Sequence, residues 1–219
     1  MIQHLLSNWN FFLVCFADML ITSAIMSALA RSFFTMGTSK ESFSMFDLEL
    51  PSSTLSTRQL LLGIDKLGDE SIKIRKALRG QLYVDFLFMP GTYLGILFLC
   101  HKAAEKSGCV GGIVFWALAF LQLVCWICDI TENCVLLSLI KRPRSYSSFG
   151  FFAWNIMESI KWGGSLIGFF SSGFGLIYFW TTGNFHKNVA CSLGGLLVET
   201  ILIVFIMGRI LKKPPAPAA

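Results

Sequence analysis

Residues 111–139 read GGIVFWALAFLQLVCWICDITENCVLLSL, a run whose only charged residues are Asp129 and Glu132. A bilayer core about 30 Å thick is crossed by about 20 helical residues. This run would be roughly 43 Å long at 1.5 Å per residue, so it must tilt or protrude. Its polar residues fall at helical spacing. Gln122, Cys125, Asp129, Glu132 and Asn133 stand at i, i+3, i+7, i+10 and i+11, which is one face. That face turns toward other helices, because the lipid-facing side must be apolar.

Four further stretches have the same character, near 10–30, 82–101, 157–180 and 190–210. No period-two alternation accompanies them, so a transmembrane barrel is not expected. Composition agrees. Of 219 residues, 54% are apolar and 14% charged, and the mean hydropathy is +0.65. An average soluble domain is about a quarter charged. This balance excludes a disordered chain, a secreted disulfide scaffold and an ordinary cytosolic enzyme. The expected fold is all-α: one domain over residues 1–211 with five transmembrane helices, and a polar Pro/Ala tail at 212–219.

Lys and Arg counts orient such a bundle. With five spans, the 31–81 loop, the 140–156 loop and the C-terminus share one side, which carries 14 of the 18 cations. The opposite side carries Lys102, Lys106 and Lys187, and Lys161 lies within a span. The expectation is an N-terminus outside or lumenal and a C-terminus cytoplasmic (or in the matrix), in an unspecified organelle. Ala28-Leu29-Ala30 resembles a signal-peptide cleavage site. No basic residue precedes the apolar run and Asp18 interrupts it, so 10–30 reads as a retained span.

The 31–81 loop is the one sizeable part outside the bilayer. Ser56 and Gln59 have capping-box spacing, and Leu60, Leu61, Ile64 and Leu67 form an apolar stripe. Gly68 ends that helix. Asp69 and Glu70 ahead of Lys73, Arg75, Lys76 and Arg79 suit the dipole of a second helix running into the span at 82. Two readings follow: an amphipathic collar drawn to anionic membrane lipids, or a docking face for a partner.

Every span carries an acidic residue: Asp18, Asp85, Asp129 with Glu132, Glu158, and Glu199. Each costs about 2.5–3.5 kcal/mol on insertion scales, so each needs a partner, a proton or water. The fourth span supplies a cation. Lys161, Gly164, Gly168, Ser172 and Gly175 share a face, and Gly164-x-x-x-Gly168 is a close-packing motif between helices. Asp85, Asp129, Glu132, Asn133, Glu158 and Lys161 are expected to form one cluster at the cytoplasmic end. Asp18 and Glu199 form a thinner layer at mid-membrane. The cluster is either a structural ion-pair network or, through its surplus of acid, a path or pocket for protons, cations or amine-bearing ligands. Pro90-Gly91 reads as a kink.

Catalytic signatures are missing. There is no H-E-x-x-H, G-x-S-x-G or P-loop, and Cys125-x-x-Cys128 sits in an apolar helix without further ligands, so no metal or cofactor is expected. Cys109 and Cys191 fall on the outer side, with their disulfide state open. The basic loop follows from membrane orientation, and no nucleic-acid partner is expected.

Phe46-Asp47-Leu48-Glu49-Leu50, Asp85-Phe86-Leu87-Phe88 with Tyr93, Asp129-Ile130-Thr131-Glu132-Asn133 and the in-span Lys161 together resemble uncharacterised small multi-pass membrane proteins with an in-span D-x-x-E-N motif followed by an in-span lysine. The resemblance covers residues 45–180 and implies that the polar cluster acts as a unit; it carries no activity. A second comparison is to sterol-isomerase-like four-helix bundles, which also use buried acids; this chain departs from them in span count and offers no convincing candidate for a buried histidine. Three functions are left. They are a non-enzymatic subunit or assembly partner of a larger membrane complex, a proton- or cation-coupled transporter or channel, and a lipid- or sterol-modifying membrane enzyme. The sequence leans away from an enzyme, with membrane lipids and other membrane subunits as expected partners.

Overall fold

The computed structural model describes residues 8–37 and 40–183. Their order is α1 (Trp9–Ala30), β1 (Phe34–Met36), β2 (Lys40–Ser42), α2 (Phe46–Glu49), α3 (Ser56–Asp65), α4 (Asp69–Lys106), α5 (Cys109–Lys141) and α6 (Ser148–Thr181). Three of these, α1, α4 and α5, are long and apolar enough to cross a membrane. At 34 residues α6 is as long, but its Gly, Ser, Trp and Tyr residues leave it less apolar. The structure thus bears out a mostly helical membrane chain, with three qualifying helices where five were expected. The fifth expected span, 190–210, lies outside the described residues.

Short connections make consecutive long helices antiparallel neighbours. Ser107 and Gly108 alone join α4 to α5, and residues 142–147 join α5 to α6. The hub is α4, which packs against α1, α5 and α6. It is one rod of 38 residues, so the basic collar and the expected second span form a single helix of about 57 Å. The helix continues through Pro90. Gly91 acts there as a contact point: a Cβ on it would lie 2.7 Å from the Cys15 carbonyl oxygen and 3.0 Å from the Met19 nitrogen, so α1 reaches the α4 backbone.

The 31–68 segment folds into a cap over one end of the bundle, called the cap end below. Phe33, Leu48, Leu61 and Ile64 are buried there with Leu78 and Leu82 of α4, Leu136, Leu139 and Ile140 of α5, and Trp154 of α6. The Leu61/Ile64 stripe is therefore used up by protein contacts, which leaves that face unable to lie in lipid as a collar. Two further differences from the sequence reading appear in the cap. Residues 34–42 form a small antiparallel ribbon, pairing Phe34 with Ser42 and Met36 with Lys40. The capping box does not form: Ser56 Oγ donates to the Ser53 carbonyl at 2.9 Å, and α3 starts without a side-chain cap. Gly68 does end the segment, at φ +59°, a backbone angle that costs glycine little. Arg75 then ties the pieces together. It pairs with Asp65 at 2.7 Å and donates to the Ile140 carbonyl, one of the unpaired acceptors ending α5.

Candidate functional site: a lysine among carboxylates

At the cap end, the face read from spacing in α5 meets its counterpart in α6. Gln122, Cys125, Asp129, Glu132 and Asn133 are all buried, as are Lys161, Gly164, Gly168 and Ser172. The glycines bring the helices close. A Cβ on Gly164 would lie 2.5 Å from Cys125 Sγ, and one on Gly168 would overlap the Gln122 amide. Gln122 Nε2 uses this proximity to donate to the Gly164 carbonyl at 3.1 Å. Cys125 is a free thiol near the Ile160 carbonyl, so it packs between helices. Gly175 lies further along, where only the Phe115 ring approaches it.

Lys161 is 5% exposed and meets four carboxylates. Its ammonium bonds to Glu132 and lies 3.2 Å from Glu158, 3.5 Å from Asp129 and 3.6 Å from Glu49. Asp129 is held on its other oxygen by the Tyr93 hydroxyl, which donates at 2.8 Å. Asn133 Nδ2 donates to Asp85 at 2.7 Å, drawing α4 into the same layer. All six residues expected to cluster are thus brought together from α4, α5 and α6. The start of α6 at Ser148, rather than near 157, sets Lys161 well inside its helix.

The sequence reading left two members out of its site. Glu49 comes from the one-turn α2 of the cap, and Tyr93 from α4. Trp154 Nε1 donates to the Glu49 carbonyl at 2.7 Å, which fixes α2 against α6 and aims its carboxylate inward. Burial raises the Glu49 carboxyl above the usual range, partly offset by Lys161. No helical periodicity reaches α2, so only the Phe46–Leu50 string quoted for the resemblance pointed at it.

Of the mid-membrane pair, Asp18 lies against Gly91, away from the lysine, and Glu199 is outside the described residues. So is Cys191, while Cys109 is exposed. Carboxylate oxygens of Glu49, Glu132 and Glu158 lie within 4.8 Å of one another, a spacing able to hold a metal ion. The Lys161 ammonium sits against all three, standing where such a cation would. No family model, curated protein or solved structure matches this chain.

Proposed function

We propose that this chain is a multi-pass membrane protein acting as a non-enzymatic subunit or assembly partner, with the Lys161 network as a lock between its cap and its bundle. On this reading α6 is a fourth span and 190–210 a fifth, with the cap on the basic, cytoplasmic side. One observation carries it: a single ammonium is shared by carboxylates from α2, α5 and α6. Such a knot ties a soluble cap rigidly to membrane helices. A rigid cap suits docking, and Phe46, Leu50 and Leu55 in it are exposed apolar side chains.

Purification in mild detergent tests the subunit role. A defined hetero-complex or oligomer by native mass is the expected result; a stable monomer with no co-purifying subunit rejects it. A double-mutant cycle on Glu132→Gln and Lys161→Met tests the lock, with strong coupling in stability expected.

The surplus of acid favours a second reading. Four carboxylates around one ammonium need further positive charge, as protons or cations, if the site is dry. A proton or cation path would use this. Asp129→Asn and Glu132→Gln should then abolish flux in proteoliposomes while the protein still folds, and unchanged flux rejects the path.

A further inference from the structure

Beside the lysine lies a cavity of about 390 Å³, between the cap-end half of α1 and α6 and under the Ser44–Glu49 segment. It is a half-open cleft, with room for about a dozen waters. Its walls are mainly apolar, with Met26 from α1, Leu82 and Phe88 from α4 and Trp162 from α6. Water is a poor filler for such walls. The two helices flanking it, α1 and α6, do not pack extensively on one another. An occupant with an apolar body can therefore reach the cavity sideways, from the hydrocarbon.

Chemistry at the polar end selects the headgroup. Glu49, Asp85, Asp129 and Lys161 line it, three carboxylates to one ammonium. A phosphate or carboxylate head would meet net like charge there. Gln81 and Thr92 also line the cavity, and Gln81 Oε1 and Thr92 Oγ1 are shielded atoms with no hydrogen-bond partner among the described residues. Unpaired buried polar atoms are costly, and an amide oxygen can be satisfied only by a donor. The acid surplus calls for a cationic head, and one that carries N–H groups can donate to the lining carboxylates directly.

We propose that the cavity binds a single-chain amphiphile with a protonated primary amine, its head at the Asp85–Asp129 end and its chain along α1 and α6. Binding takes no bond-making step and holds whether the lysine network is a lock or a path.

The test uses the full chain in nanodiscs and three photoactivatable long-chain probes matched in length, an amine, an alcohol and a carboxylate. Saturable labelling by the amine, roughly tenfold above the carboxylate, is expected on α1 and α6 peptides. Ser27→Phe or Ser23→Leu, each narrowing the cavity wall, should remove it. Val14→Phe, on an exposed face of α1, should not. Asp85→Asn should shift the preference from amine to alcohol. Equal labelling by all three probes, or labelling indifferent to both wall variants, overturns the proposal. So does an unlabelled cavity in which Ser27→Cys cross-links to Gly195→Cys, since the chain's own 190–210 segment would then fill it.

Discussion

At the end of the bundle away from the cap, Trp9 and Phe12 of α1 lie against Phe98 of α4, with ring centroids 5.4 and 5.8 Å apart. At the cap end, four carboxylates converge on Lys161. Both clusters join helices in an apolar medium, yet by unlike means. Lipid tails are as apolar as a phenylalanine, so the aromatic end gains from close packing and little from leaving water. Any ring of similar volume can do much of that work. The charged end gains only when its members are present together, since each is costly alone. One end is tolerant and roughly additive. The other is all-or-none.

The strongest attack on that contrast removes the lysine. Lys161→Met should cost about 3–5 kcal/mol of stability, read by unfolding in detergent, because it strands buried acids. Adding Glu132→Gln should restore part of the loss. A simple sum of the two effects would show that the cap end is no more cooperative than the aromatic end.

Next comes the contact between the two clusters. Gly91→Ala would press a methyl group on the α1 backbone, which has no free rotamer to yield with, at a cost of about 1–3 kcal/mol. Cys15, buried against α4, should then react faster with a maleimide. Gly175→Ala meets only the far edge of the Phe115 ring and should be milder. Phe98→Leu probes the tolerant end. Although Phe98 is fully buried, the swap keeps much of its volume and should cost under about 1.5 kcal/mol.

The smallest effect is a pH dependence. Because burial raises the Glu49 carboxyl in the folded chain, the folded state holds that proton more tightly than the unfolded one. Its contribution is most favourable below the ordinary value of 4.5, and is lost as pH rises from there through the raised one. Glu49→Gln should flatten that decline in a pH series of melting temperatures. An unchanged slope would mean that Glu49 takes no part in the knot.

Much of this was legible in spacing. The faces of α5 and α6 could be read because period 3.6 over a long apolar run leaves one choice for its polar residues, and Asn133 and Lys161 do bond across helices. Glu49 could not, since a single turn carries no periodicity and its direction depends on Trp154, more than a hundred residues away. The cap was misread for a related reason. An amphipathic stripe announces that it will be buried, without saying whether lipid or protein covers it. A pocket at the acidic cluster was one reading of its surplus charge, but the cleft's place and apolar walls left no trace, because they arise from where α1 and α6 fail to meet.

The chain order of the knot has a consequence for biogenesis. Asp129 and Glu132 leave the ribosome before Lys161, separated from it by the last turns of α5, the six residues 142–147 and the first turns of α6. If α5 entered the bilayer by itself, both acids would sit there without a counter-ion, at about 2.5–3.5 kcal/mol each. With α6 as the fourth span proposed above, synthesis from the N-terminus favours release of α5 and α6 into lipid as one hairpin, Lys161 already offsetting one of its acids, with Glu49 on a segment synthesised earlier.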